Sequence, residues 1–285
     1  AVVLGGGVIG VEFASILRSF GSDVTIVEAL PRLVSAEDPA ISAQLQRAFR
    51  QRRIATRLGA KVTGVTESGG EVTVTMESGD DLVADLVLVA VGRGPAPVAG
   101  IENLAVTTDR GYVVTDERCR TSVPGVFAVG DLVPGPQLAH RGFAQGIFVA
   151  EEIAGLAPAP IEEAGIPRVT YCDPEIASVG LTEDAARERF GDVAVVEYNL
   201  AGNGKSQILG TKGFVKLIRA VDGPVVGLHL IGARISEQIG EAQLIYNWQA
   251  FPEEVAAMIH AHPTQNEALG EAHLALAGKP LHSHA

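Results

Sequence analysis

Cysteine is scarce in this chain. Cys119 and Cys172 are the only two among 285 residues, and no second cysteine lies at a redox or zinc-ligand spacing from either. A disulfide scaffold is therefore excluded, and both are expected to be reduced, buried thiols. Basic residues are also in deficit, with 22 Lys and Arg against 34 Asp and Glu and a net charge of -12. That balance excludes the basic surface needed to hold nucleic acid or an anionic membrane, so partners should be small molecules or other proteins. Long apolar runs are missing as well. Val87 to Val91 and Val225 to Ile231 are strand-sized, far short of the roughly 20 residues of a membrane span. There is no initiator Met, signal sequence or polar lead-in before Ala1, and an opening directly in a strand pattern is expected at the edge of a fragment.

The composition that is present suits a soluble globular protein: 47% hydrophobic and 20% charged residues can bury the core of one large or two medium domains. Ala1 to Leu4 is apolar, Gly5-Gly6-Gly7 interrupts it, Val8 to Phe20 repeats apolar residues at helical spacing, Gly21 ends that helix, and Val24 to Val27 is strand-like. This is a βαβ unit, which predicts a parallel sheet covered on both faces. Arg32 to Gln51 reads as a helix, Ala60 to Met76 as a hairpin broken at Ser68-Gly69-Gly70, and Leu82 to Val91 as a buried strand. Asp80-Asp81 then falls on a solvated hairpin tip.

Two junctions are predicted. The first is Gly94 to Gly100; the second is Leu156 to Pro167, where Pro158, Pro160 and Pro167 cluster. Between them a strand is expected over Val126 to Val129, a turn at Gly130-Asp131, and a helix over Gln137 to Ile153. Beyond them the pattern is α+β: strands at Arg168 to Tyr171, Phe214 to Arg219 and Val225 to Ile231, and helices over Glu183 to Phe190, from Ser236 and from Pro252.

Gly5-x-Gly7-x-x-Gly10 lies between a strand and a helix, the context a dinucleotide fingerprint requires. The first glycine makes the turn, the second admits the pyrophosphate, the third lets helix and strand pack, and the helix N-terminus presents free N–H groups to the anion. Glu28 ends the second strand about 20 residues on, where a carboxylate accepts hydrogen bonds from a ribose 2′-hydroxyl and repels a 2′-phosphate. NAD is thus expected over NADP. Glu12, one turn into the helix, is a candidate either for a contact on the nicotinamide side or for support of the helix dipole.

The segment Thr121-Ser-Val-Pro-Gly-Val-Phe-Ala-Val-Gly-Asp131 resembles the second flavin motif of the pyridine nucleotide-disulfide oxidoreductases. His260-Ala-His262-Pro263-Thr264-Gln-Asn-Glu267 resembles the same family's catalytic base motif, and Gly92-Arg93-Gly94-Pro95 and Asp173-Pro174-Glu175 extend the likeness over nearly the whole chain. Ala96 departs from it, standing where the family usually has Asn. The resemblance implies an α/β NAD-binding Rossmann-like domain (1–93), a partial FAD-domain segment (94–160) and an α+β dimerisation domain (161–285). It implies NAD and FAD as cofactors, with Gly92 joining the nucleotide site, Asp131 holding the flavin's ribityl chain, and Leu138, Ala139 and His140 bringing backbone donors to the flavin ring. It makes His262 the base that deprotonates a substrate thiol and Glu267 the group that orients it, both completing the partner subunit's site in a homodimer. Glu28 and the absence of a terminal cysteine pair favour the NAD-linked branch that oxidises dihydrolipoamide carried on an acyltransferase complex, in the cytoplasm.

The family's Cys-x-x-x-x-Cys disulfide and the glycine-rich unit for the ADP half of FAD are not in this sequence. Thiolate–disulfide exchange needs those sulfurs, so the chain by itself is expected to be inactive. A non-catalytic NAD-binding dimerisation module, or another NAD-linked flavin disulfide reductase, are the alternatives. Gly204-Lys205-Ser206 lacks the opening glycine and the strand-to-helix switch of a phosphate-binding loop. His260 with His262, and His282 with His284, are spaced by two and are poor joint metal ligands on a helix.

Overall fold

Glycine on both sides sets the first elements: β1 (Val2–Leu4), α1 (Val8–Ser19) and β2 (Val24–Glu28). They are followed by α2 (Pro39–Gln51), β3 (Ile54–Leu58), the strands β4 (Val62–Ser68), β5 (Glu71–Met76) and β6 (Asp81–Ala84), and β7 (Val87–Val89). The structure, a computed structural model, describes residues 1–96 and 98–282. Pro97 in the expected first junction and His284 of the terminal histidine pair lie outside the described residues.

Strands β3-β2-β1-β7 form a parallel sheet in that order. Successive side chains of a strand point to opposite faces, and the two faces are covered differently. Val3 and Ile26 pack with Val11 and Ala14 of α1 and with Ile41, Leu45 and Phe49 of α2. Val2, Leu4 and Val27 instead meet Val74, Met76 and Ala84 of the antiparallel β4-β5-β6 sheet.

Two expectations for this region need correction. The helix predicted from Arg32 starts at Pro39, because Asp38 caps it by accepting the Ala40 N–H at 3.0 Å and Pro39 supplies a helical φ without needing a partner for an N–H. Arg32 itself donates to the Glu37 and Ser35 carbonyls, each at 2.7 Å, and folds the preceding segment into turns. The single strand predicted over Leu82 to Val91 is two, with β6 antiparallel to β5 and β7 parallel to β1. An apolar run records burial, and burial is common to both sheets. The edge strand β3 was not anticipated.

Residues 1–92 and the described residues from 167 onward form one compact unit, and Arg93–Ile166 forms another. The second unit carries β8 (Thr108–Asp109), β9 (Tyr112–Val113) and α3 (Ala139–Ile153) around a small core of Val113, Ala128 and Val133. The strand predicted over Val126 to Val129 is reduced to one bridge between Phe127 and Arg120. Pro124-Gly125 turns the chain there, and Val126 N–H is taken by the Val123 carbonyl at 3.1 Å, within that turn. The helix starts at Ala139, two residues later than expected.

The rest of the first unit comprises β10 (Arg168–Thr170), β11 (Glu175–Gly180), α4 (Glu183–Phe190), β12 (Val193–Asn199), α5 (Gly204–Leu209), β13 (Phe214–Ala220), β14 (Val225–Gly232), α6 (Ile235–Asn247), α7 (Pro252–Ala256) and α8 (Glu267–Leu276). The strands form an antiparallel sheet in the order β10-β11-β14-β13-β12. β11, β12, α5 and α8 had escaped the sequence reading. Ile176, Phe214 and Ile231 of this sheet share a core with Ile41, Leu45 and Phe49 of α2.

A buried polar bolt runs through the same contact. Asp38 accepts from Lys216 Nζ at 2.8 Å and from Glu183 N–H at 3.1 Å, Lys216 also pairs with Glu183 at 2.8 Å, and Ser178 donates to Glu37 at 2.6 Å. Burial would raise the Asp38 carboxyl, but hydrogen bonds from Lys216 and from the Glu183 and Ala40 amides outweigh it and hold it below its usual value.

Candidate nucleotide site and histidine base

The glycines after β1 are constrained by distances. Gly5 has φ 106°, and a Cβ there would lie 2.3 Å from the Ala90 carbonyl oxygen. A Cβ on Gly10 would lie 1.9 Å from the Gly5 carbonyl oxygen, so α1 can approach β1 only without a side chain at that position. Gly7 differs: no atom would lie within 4 Å of its Cβ. It is the N-cap of α1 and no side chain caps the helix, which leaves an open backbone surface at the positive end of the helix dipole.

Glu28 reaches back over this turn. Its Oε2 accepts the Gly6 N–H at 2.5 Å and its Oε1 the Leu30 N–H at 2.7 Å. The carboxylate is thereby oriented beside the glycine turn while its remaining lone pairs can still accept hydroxyl protons. Gly92, at φ 135°, has open space around its Cβ position. Glu12 points elsewhere: its Oε1 accepts the Tyr171 N–H at 2.7 Å and so ties α1 to the segment after β10.

In the unit 93–166, Asp131 is exposed and has no hydrogen-bond partner among the described residues. The preceding Gly130 donates its N–H to Gln145 Oε1 at 2.7 Å, which fixes the turn on α3. Leu138 is the N-cap of α3, and Ala139 and His140 open the helix with no side-chain cap. The N-terminus of a 15-residue helix and an exposed carboxylate are thus carried by one small segment.

His262 lies in the loop between α7 and α8, and its Nδ1 meets Glu267 Oε1 at 2.8 Å. Glu267 Oε2 accepts the Thr264 N–H at 2.8 Å, so both carboxylate oxygens are engaged. With Nδ1 donating to the carboxylate, Nε2 is the nitrogen with a lone pair, on a side chain that is 76% exposed. Burial raises the Glu267 carboxyl, and the hydrogen bonds from Thr264 and His262 more than reverse that, so it stays ionised.

Sequence reasoning missed the supports of this loop. His260 Nε2 meets Glu241 Oε1 at 2.7 Å, and Asn203 Nδ2 donates to the Thr264 carbonyl at 3.0 Å. Each of these histidines meets its own carboxylate, and no group of three or more His, Cys, Asp or Glu among the described residues could hold a metal ion. Cys119 and Cys172 are free and buried, and burial pushes the Cys172 thiol up to about 12. A thiol kept protonated is a poor nucleophile.

Fold and site together define an α/β protein with a Rossmann-like strand–glycine turn–helix, joined to an α+β domain that presents a carboxylate-held histidine. Residues 1–146 match the pyridine nucleotide-disulphide oxidoreductase family and residues 166–273 its dimerisation domain, and the chain belongs to that family. Among its relatives, "Dihydrolipoyl dehydrogenase" of Rhizobium etli is 39% identical over 99% of this chain and 60% of its own length. The protein of the same name from Chlorobaculum tepidum is 42% identical over 95% of this chain and 59% of its own. The chain therefore spans about three fifths of the length of these relatives. The crystal structure of LpdA from Mycobacterium tuberculosis superposes with a TM-score of 0.90 at 25% identity, covering 96% of this chain and 61% of that one. The HOCl-induced flavoprotein disulfide reductase RclA from Escherichia coli superposes at 0.87 and 28% identity, covering 95% and 63%.

Proposed function

We propose that the full-length protein is an NAD-dependent flavoprotein disulfide oxidoreductase that oxidises dihydrolipoamide to lipoamide, a dihydrolipoyl dehydrogenase. The observation that carries this reading is the exposed His262 imidazole held at Nδ1 by Glu267. An imidazole so held takes a thiol proton on Nε2, and the carboxylate stabilises the imidazolium that results. The thiolate produced can then attack a disulfide supplied from outside this chain.

The residues present fit the nucleotides. Gly5, Gly7 and Gly10 leave a backbone face open for a pyrophosphate, and Glu28 is oriented to accept ribose hydroxyls and to disfavour a 2′-phosphate. Gly92 borders the same region, and Glu12 is assigned to support of α1, given its hold on Tyr171. Asp131 has the free acceptors a ribityl hydroxyl requires, and Leu138, Ala139 and His140 open a helix whose dipole favours negative charge on a flavin ring. When bound, FAD carries the electron pair between the dithiol–disulfide couple and NAD+.

In this reading residues 1–93 bind NAD, residues 94–160 are the remainder of the FAD-binding domain, and residues 161–285 dimerise. The protein acts as a cytoplasmic homodimer, its His262 and Glu267 serve the partner's disulfide, and its substrate is lipoamide borne on an acyltransferase complex. The chain as given should be inactive alone. The likeness to the reductase RclA favours a second reading, another dithiol or disulfide as substrate with the same chemistry.

The test is His262→Gln in the full-length protein. Dithiol-driven reduction of NAD+ should fall by about 10²- to 10⁴-fold, the range of general acid–base catalysis. Oxidation of NADH by ferricyanide, which needs no dithiol deprotonation, should be retained. A variant that keeps full dithiol activity would remove the base from the reading.

A further inference from the structure

His262 sits in a segment, residues 257–266, without regular secondary structure, yet a base misplaced by about 1 Å can lose roughly 10²-fold in rate. Something must hold the loop. Glu241 of α6 touches it near both ends: Oε1 meets His260 Nε2 at 2.7 Å and Oε2 accepts from Asn266 Nδ2 at 2.8 Å. The first contact falls two residues before His262 and the second immediately before Glu267. Between them the backbone is tied by Asn203 to the Thr264 carbonyl, and Gln265 donates to the Ala233 carbonyl at 2.9 Å.

His260 differs from His262 in its surroundings. Its side chain is 11% exposed, and its ring lies so close to α8 that a Cβ on Gly270 would fall 2.6 Å from Nδ1. It is placed to be held, not to meet substrate.

We propose that Glu241 is a positioning residue. Its one carboxylate, acting through His260 and Asn266, fixes the 260–267 loop so that His262 and Glu267 keep the contact that makes the imidazole a base. The electrostatics agree. The hydrogen bond that His260 donates to Glu241 outweighs burial and raises His260 above its ordinary value, while burial of Glu241 is outweighed by the hydrogen bonds from His260 and Asn266 and its carboxyl is lowered. The clamp is therefore charge-assisted over the neutral range.

This inference rests on the assignment of His262 as the base, and a double-mutant cycle in the full-length dimer separates the two. Glu241→Ala should lower kcat for dithiol-driven NAD+ reduction about tenfold or more, with the KM for NAD+ and the NADH–ferricyanide activity unchanged. Glu241→Gln, which keeps the shape, should lose less. Gly270→Ala, which pushes on His260 from the other side, should mimic Glu241→Ala. If Glu241 works through His262, the double variant Glu241→Ala/His262→Gln should be no slower than His262→Gln alone.

Additive losses in the double variant would overturn the proposal, as would parallel loss of both activities in Glu241→Gln, the mark of a general defect in folding. Full dithiol activity in both Glu241 variants beside an inactive His262→Gln overturns the clamp and leaves the base assignment standing. Full activity in His262→Gln removes the base and the clamp together.

Discussion

The two compact units of this chain bury their apolar residues to very different extents. In the unit formed by residues 1–92 and those from 167, Phe49, Leu45, Leu217, Leu228 and Leu230 are completely inaccessible, and β14 is buried along all eight of its residues. In the unit 93–166 only a handful of apolar residues are buried, the main cluster being Val113, Ala128 and Val133, while Phe143 is 73% and Ile147 63% exposed on α3. A helix that presents large apolar side chains to water calls for another surface to cover it. The contrast teaches that the first unit has an extensive core of its own, although it too exposes Phe20 and Trp248, whereas α3 has an apolar face for which this segment provides no cover. The proposed assignment of 94–160 to a larger FAD-binding domain explains that face.

Four measurements would break or sharpen the contrast. The largest effect should come from Phe49→Ala, which empties a fully buried site and should cost about 3 to 5 kcal/mol in denaturant unfolding. A loss near 1 kcal/mol would mean that the first unit is less tightly packed than described. Lys216→Met should cost about 3 kcal/mol, because it leaves the Asp38 carboxylate buried without its cation.

The acid limb of stability should follow the same bolt. Asp38 is held below its usual value near 3.8, so its contribution is fully present above that pH and is lost as pH falls through its lower folded value. In Lys216→Met the folded value rises, and the onset of acid unfolding should move to higher pH. An onset that stays in place would show that another carboxylate sets the acid limit.

The smallest effect should be Phe143→Ala, within about 0.5 kcal/mol in this chain, since an exposed side chain loses little on truncation. The same change in the full-length protein should cost distinctly more if the apolar face of α3 is covered there. Equal, negligible costs in both would leave that face without a structural role.

The sequence was most readable where one local signal fixes one local geometry. Gly5-x-Gly7-x-x-Gly10 between two apolar runs admits little besides a strand-turn-helix, and β1, α1 and β2 follow within a residue or so. It was least readable where the partner is remote. Apolar character alone could not divide Leu82 to Val91 between two sheets, because β6 and β7 face different neighbours with similar side chains. Asp38 announces itself as a helix cap only once Pro39 is seen as the first helical residue, and nothing local links it to Lys216, 178 positions away. The site follows the same rule. His262 and Glu267, five residues apart, were found through a motif resemblance, whereas Glu241 and Asn203 reach the loop from other elements and carry no motif.

Glu28 carries a lesson for redesign. The carboxylate that should choose between NAD and NADP also holds the Gly6 and Leu30 amides. In the proposed reading, recognition and scaffolding are therefore vested in one side chain and are altered together. A cationic replacement meant to welcome a 2′-phosphate would release two backbone donors at the same stroke, so the redesign should loosen the glycine turn while it changes the charge.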